Sequence, residues 1–511
     1  MKHPALRAKR RPPTLHACTD PPVTATATAA PAPGQSLASG SGSHQRIEQD
    51  ALGEVAVAET ALWGAQTQRA LHHFSLQADP MPYPVIEALA LIKSTAARAN
   101  AALGMLDAVQ AEAIARAGEE VLRGRHREAF RVSVWQSGSG TQTHMNMNEV
   151  LANRASELLG GGRGSARTVH PNDHVNLGQS SNDTMPSAVH LAVLQVSREQ
   201  LTPAIESLVT TLATHVQAFE AVVKTGRTHL QDAVPLTLGH EVAAWKSQLE
   251  TAHHHYRQTL SSLNHLALGG TAVGSGLNAH PRFGGLVIRA LAEATGHPLR
   301  PAVNPYAAQA AHDDLLAVHS ALRGLAVVLM KIANDIRLLG SGPRCGLGEL
   351  LVPANEPGSS AMPGKVNPSQ CEALVMMAGQ VLGNDVAMAF AGTSGHLQLN
   401  TALPLMAHNL MHSLQLLAHG IRDFDRHCVQ GLQPNHARIA EHLANSLMLT
   451  TALVPHLGHG PAARLAQQAL AQGLSLRDVA IHQGGLTAEQ FDAWVCPAQM
   501  AGLGPRADAA N

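Results

Sequence analysis

Large apolar residues recur along the chain at alternating steps of three and four. One run is Leu322, Leu325, Leu329, Ile332, Ile336 and Leu339; a second is Leu201, Ile205, Leu208, Leu212, Val216 and Phe219. A third is Val242, Trp245, Leu249, Ala252, Tyr256 and Leu260, and a fourth is Leu410, Leu414, Leu417, Ile421 and Phe424. At 3.6 residues per turn such steps return to one side of a helix, so each run predicts an apolar stripe that needs partner helices. Helices of about 25–35 residues predict a long bundle, and stripes this extended commonly continue across subunits. Strand-like alternation is confined to a short stretch near Gly53–Val57. The predicted class is all-α.

Polar, glycine-containing loops separate the runs: SGSGTQTHMNMNE at 137–149, HPNDHVNLGQSSND at 170–183, GRTHLQD at 226–232 and EPGSSAMPGKVNP at 356–368. Loops on rigid scaffolds carry function, and each of these is expected to end where a helix begins, aiming free N–H groups at a ligand. They offer the hydroxyls of Ser139, Thr141, Ser180, Ser181, Thr228, Ser359 and Ser360, and the amides of Asn146, Asn182 and Asn367. One imidazole, His229, and the cations Arg167 and Lys365 complete the supply. That set suits a small polyanion held by neutral donors and a few cations.

Aromatic residues are only 3% and charged residues 14%, so the core must be Ala, Leu, Val, Ile and Met, which favours helices. A formal charge of −1 sets up no global field for nucleic acid or an anionic membrane. No uninterrupted apolar run approaches the length of a bilayer span, which predicts no transmembrane helix. Cys18, Cys345, Cys371, Cys428 and Cys496 lie far apart without a CxxC pair, predicting a reducing, cytoplasmic setting without disulfides. Residues 1–44 carry Lys2, Arg7, Lys9, Arg10 and Arg11 against Asp20, followed by a Pro/Ala/Thr/Gly/Ser tract. Without periodic apolar residues this tract is expected to be disordered; a targeting segment is the weaker reading, because TATATAAPAP is a poor apolar region. The body is expected to divide into 45–180, a central bundle 181–433 and a small helical domain 434–511.

Other chemistries fit less well. GSSAMPGK has five residues between its glycines instead of four, and Val366 stands where a phosphate loop needs Ser or Thr. The glycine runs at 160–164 and 269–276 follow no predicted strand, so dinucleotide binding is unsupported. HExxH is absent, and His253, His254 and His255 point about 100° apart on a helix, so no metal is expected. No GxSxG elbow is present for a serine hydrolase.

The string GSSAMPGKVNPSQCEAL strongly resembles the signature of the fumarase/aspartase superfamily. Its PGKVNPSQCEA form, and GRTHLQDAVPLTLGHE with His229 where aspartases usually have Gln, look like the class II fumarate hydratases. WGAQTQRAL, SGSGTQTHMNMNEVLANRASELLGG, HPNDHVNLGQSSND, LGGTAVGSGLNAHPRF, SGPRCGLGELLVPANEPG and NSLMLTTAL extend the match over roughly residues 45–505. The resemblance implies a three-domain fold whose long helices share a homotetramer core, with each active site built from three subunits. It implies reversible hydration of fumarate to L-malate without cofactor or metal. A related aspartate ammonia-lyase and a non-catalytic structural homologue are the alternatives.

By resemblance, Lys365 and Asn367 bind the carboxylate that gains charge when malate loses a proton. Ser359, or an activated neighbour on its loop, is the base; His229 is the acid for the leaving hydroxyl, with Glu372 orienting or charging it. Ser139, Gly140, Thr141, Ser180, Ser181, Asn182, Thr228, Ser360 and Val366 position the substrate. Arg167, His170, Pro171, Asn172 and Asp173 match a secondary dicarboxylate site. Several positions depart from the pattern: His144 replaces Asn; His174, Leu177 and Gly178 replace Asp, Lys and Ser; Gln398 replaces a Glu. Several are expected to border the pocket or subunit contacts, and so to bear on affinity, pH optimum and rate.

Overall fold

The structure, a computed structural model, describes residues 44–76 and 78–504. His44 apart, the tail read as disordered lies outside the described residues, and so does Cys18. The body opens on an antiparallel hairpin, β1 (Gln45–Asp50) and β2 (Gly53–Ala58), where the alternation was seen. Helices α1 (Ala65–His73), α2 (Tyr83–Ala102), α3 (Ala108–Leu122) and α4 (Thr141–Leu158) follow, with α3 packed on both α2 and α4. Helix then runs unbroken through α5 (Ser181–Val196), a five-residue π-turn (Ser197–Leu201) and α6 (Thr202–Ala218). The π-turn sits just ahead of Pro203, whose ring crowds the preceding turn and which has no N–H to donate.

A second hairpin, β3 (Val223–Thr228) and β4 (Gln231–Thr237), precedes α7 (Leu238–Leu260). This corrects two expectations. GRTHLQD is not a loop running into a helix but the closing turn of a hairpin, and strand structure is not confined to the region of Gly53. Similarly, SGSGTQTHMNMNE is loop only as far as Gly140; Asn146 lies inside α4, buried, donating to the Ala129 carbonyl at 3.0 Å. The chain continues through α8 (Phe283–Thr295), α9 (Pro305–Ala310), α10 (Asp313–Leu339), α11 (Ser369–Gly392), α12 (Leu403–His427) and α13 (His436–Asn445). Further helices extend from Val454 to Met500. A two-residue parallel ladder, His265–Leu266 with Arg300–Pro301, does precede the 269–276 glycines, but it is too short to form the strand–turn–helix unit of a dinucleotide fold.

In the bundle, α6 packs on α7, α7 on α10, α10 on α11, α11 on α12 and α12 back on α6. All four apolar runs line this core; Val216 and Leu260 are half-buried and every other member is buried. The fold is all-α in its architecture, with two short hairpins and three two-residue ladders attached among the described residues. Leu453, Ala462, Leu465, Val479 and Phe491 form a second, smaller apolar cluster near the C-terminal end.

One exclusion does not hold as stated. By length and composition, α10 and α11 are both apolar enough to cross a membrane. Gly, polar residues and isolated charges interrupt their apolar runs without lowering the average far. Both serve as bundle helices, each burying one stripe.

Candidate active site

The N-terminal ends of α4 and α5 meet. Ser139 Oγ lies 2.9 Å from Thr141 Oγ1, which lies 3.0 Å from Ser181 Oγ, giving a chain of three hydroxyls. Gly140 caps α4 at φ +74°, and a Cβ there would come within 2.8 Å of the Met185 methyl, so both conformation and space require glycine. No side chain caps α4, which leaves its N-terminal dipole facing the hydroxyls. The start of α5 is closed by a capping box: Ser180 Oγ accepts the Asn182 N–H, while the Asp183 carboxylate accepts the Ser180 N–H. Asp183 also accepts the N–H groups of Gly269 and Thr271, and Asn182 donates to the Ala272 carbonyl at 2.8 Å. Burial pushes the Asp183 carboxyl up to about 6 against these donors.

His229 occupies the tip of the β3–β4 hairpin with Thr228 and Leu230, all three exposed. His229 and Leu230 have φ of +54° and +60°. A two-residue hairpin turn of this hand normally takes Asn or Gly, because the left-handed region costs an ordinary residue about 1–2 kcal/mol. Neither His229 nor Leu230 is a residue that such a turn favours, so the tip carries backbone strain.

The 356–368 loop folds on itself. Lys365 Nζ donates to Asn367 Oδ1 at 2.6 Å, and Asn367 Nδ2 donates to the Gly358 carbonyl at 2.6 Å. Ser359 Oγ accepts N–H groups from Ala361 at 3.2 Å and Met362 at 3.1 Å. Ser360 and Val366 are exposed beside them. Glu372, in the first turn of α11, pairs with Arg337 at 3.4 Å. Among the described residues no hydrogen bond or ion pair joins His229 to Glu372, or the hairpin tip and this loop to the hydroxyl chain.

Arg167 reaches Glu48 at 3.1 Å, beside the π-turn Pro171–Val175 that His170 caps by accepting the Asp173 N–H. Burial, together with the charges of Arg167 and His174, holds the His170 imidazole below its usual range against the pull of Asp173. Asn172 and Asp173 are exposed and Pro171 is buried. The departing residues are accommodated locally: His174 Nδ1 accepts the His170 N–H at 2.9 Å, the Leu177 carbonyl accepts from Asn100, and Gln398 is exposed in a turn.

Residues 53–383 match the family described as Lyase, and residues 449–502 match Fumarase C C-terminus. Fumarate hydratase class II of Chromobacterium violaceum is 56% identical over 455 residues, covering 89% of this chain and 99% of that protein. Fumarate hydratase class II of Nitrosomonas europaea is 54% identical over 455 residues, covering 89% and 98%. The chain belongs to the class II fumarase family. Its fold agrees: the crystal structure of class II fumarase from Schistosoma mansoni superposes with a TM-score of 0.86 at 43% identity, covering 90% of this chain and 99% of that one.

Within this fumarase-family protomer, then, the sequence-predicted groups fall into four separate clusters, with Glu372 apart on α11 beside Arg337. Ser139, Gly140, Thr141 and Ser180–Asn182 come together; so do Ser359, Lys365 and Asn367; so do Arg167 and the 170–173 turn. Thr228 and His229 stand apart on the hairpin. Sequence reasoning did not find the buried charges, of which Asp183, Glu349 and Lys93 are examples. Asp183 lies within the polar SSND string, where it reads as a helix cap and gives no sign of its burial; Glu349 lies within GLGEL and could have been singled out as an acid amid apolar neighbours. Lys93 is fully buried on α2, four residues from both Leu89 and Ala97 on the apolar stripe, and that spacing was the available signal. The distant cysteines also prove to be neighbours in one case: the Cys371 and Cys428 sulfurs are 3.8 Å apart, buried, and not bonded as a disulfide.

Proposed function

We propose that this protein interconverts fumarate and L-malate by anti addition and elimination of water. The observation that carries the reading is the 358–367 loop, which presents an ammonium, an amide and a hydroxyl backed by two N–H donors in ten residues. In the dehydration direction Ser359, or an activated neighbour, takes a proton from the carbon beside a malate carboxylate. The C–H electron pair moves into that carboxylate, giving an aci-carboxylate that Lys365 and Asn367 stabilise, each donor worth about 3–4 kcal/mol of barrier. The carbon–carbon double bond then forms as the C–O bond on the opposite face breaks, and His229 supplies the proton that makes the departing hydroxide water. A serine alkoxide is costly, and the Ala361 and Met362 N–H groups, already directed at Ser359 Oγ, lower that cost. The hydroxyl chain, Gly140, Asn182, Thr228, Ser360 and Val366 position the two carboxylates, and Arg167 with residues 170–173 forms a secondary dicarboxylate site. The chemistry assigned here uses only this chain's residues.

The assembly follows from the same reading. Met376, Gly379, Gly383, Val386 and Phe390 form an exposed stripe of apolar and small residues along α11. A stripe with these spacings supports close packing against helices of other copies, as the homotetramer of this reading requires. In such a tetramer His229 of one copy meets Glu372 and the Ser359 loop of others, and each active site draws on three subunits. Of the proposed domains, 45–180, 181–433 and 434–511, the last is supported by the separate C-terminal apolar cluster. The free Cys345, Cys371, Cys428 and Cys496 fit a reducing, cytoplasmic compartment.

One assay tests the reading: incubation with L-malate and, separately, with L-aspartate, following fumarate by its ultraviolet absorption. Malate alone should respond. A response to aspartate alone would make the protein an ammonia-lyase, and no response to either would make it a non-catalytic member of the fold.

A further inference from the structure

The hairpin that carries His229 is anchored by a buried charge cluster. Glu349, with no exposed surface, lies in the segment between α10 and α11. Its carboxylate meets Arg227 Nη2 at 2.7 Å, His442 Nδ1 at 2.8 Å and Lys224 Nζ at 3.1 Å. Lys224 and Arg227 belong to β3, and His442 to α13. Lys224 is also fully buried and makes its second ion pair with Glu241 of α7 at 2.9 Å. Glu349 is tied through its backbone as well: its N–H donates to Leu339 at the end of α10, and its carbonyl accepts from Asn435, the cap of α13. Across the hairpin, Arg227 stands in register with Asp232 of β4. Glu349 thus joins β3, α10, α13 and, through Lys224, α7, and its partner Arg227 lies two residues from a histidine held in the left-handed region.

We infer that Glu349 is a positioning residue for the hydration reaction, fixing the His229 hairpin tip through Arg227, Lys224 and His442; this rests on the reading of His229 as the proton donor. Two-stranded hairpins are marginal on their own, and this one spends conformational energy at its tip. Burial alone would push the Glu349 carboxyl up, but Arg227, Lys224 and His442 outweigh it and keep the group ionised. Removing that charge leaves three basic groups facing one another, with Glu241 as the remaining acid in contact. Repulsion then acts directly on β3, and a misplacement of about 1 Å at a reacting group costs on the order of 10²-fold in rate.

The test uses the purified full-length protein. Glu349→Gln, of equal volume, should lower kcat for malate by at least about 10-fold with KM within about 3-fold, and should shift the pH limb of kcat. A purely structural role would lower the amount of active protein but leave kcat per folded protein and the pH profile of the remainder unchanged, and that result overturns the inference. If Glu349→Gln fails to fold, His442→Gln decides, because its side chain is partly exposed: it should lower kcat severalfold at unchanged KM, and a wild-type kcat overturns the inference. His229→Asn separates the two levels. If it retains wild-type turnover, the assignment of His229 has failed; if it is inactive while Glu349→Gln matches wild type, only the positioning role has failed.

Discussion

Lys93 Nζ lies 2.6 Å from His144 Nε2, and neither side chain has meaningful exposure. Asn176 Oδ1, at 3.0 Å from the amine, is the other hydrogen-bonding partner among the described residues. Burial pushes both the amine and the imidazole well below their ordinary ranges, and each cation would oppose the other. The buried carboxyl of Asp183 acts in the opposite sense on Lys93. This buried pair makes the stability of the protein respond to pH.

Acid should destabilise the protein through His144. Its folded pKa lies below the unfolded value of about 6.5, so its stabilising contribution is complete above that pH and is lost as pH falls toward the folded pKa. Between pH 7.5 and 5.5 the loss from this group should be about 1 kcal/mol. Asp183, raised to about 6, contributes with the opposite sign, being most favourable at low pH and losing its contribution as pH rises through 6. Comparing urea midpoints of wild type and His144→Asn at the two pH values cancels Asp183. The variant should lose less stability on acidification, and equal losses would refute the assignment.

Asp183→Ala should cost about 2–4 kcal/mol, because the N–H groups of Ser180, Gly269 and Thr271 lose their acceptor. Since Ser180–Asn182 then lose their anchor, KM for malate should rise as well. Urea unfolding and initial rates measure the two effects.

Ser359→Ala should be nearly inactive while retaining the wild-type fold and melting profile, the residue being a loop hydroxyl with no buried contacts to lose. Circular dichroism together with the malate assay checks this. Full activity would shift the base to a neighbouring group.

Mixing His229→Asn with Ser359→Ala, after dissociation and reassembly, should restore activity if the two residues of one site come from different subunits. Random assembly then places both native groups in about a quarter of the sites. Recovery absent under conditions that do exchange subunits would place both residues in one chain.

Several features were readable from the sequence because they depend on neighbours along the chain. The four apolar runs predicted the bundle helices, since a stripe of period 3.6 needs nothing beyond its own residues to be recognised. The GSSAMPGKVNP loop likewise carries its chemistry locally, with Ser359, Lys365 and Asn367 meeting through turns of a few residues. The hairpin at 223–237 escaped notice because its tip lacks the Gly or Asn that such turns favour, and its strands alternate weakly. Lys93 and Glu349 look like solvated charges in one dimension. Only the packing of α2 against α5 and the convergence of β3, α7 and α13 decided that they are buried, because desolvation and charge pairing depend on residues distant in sequence.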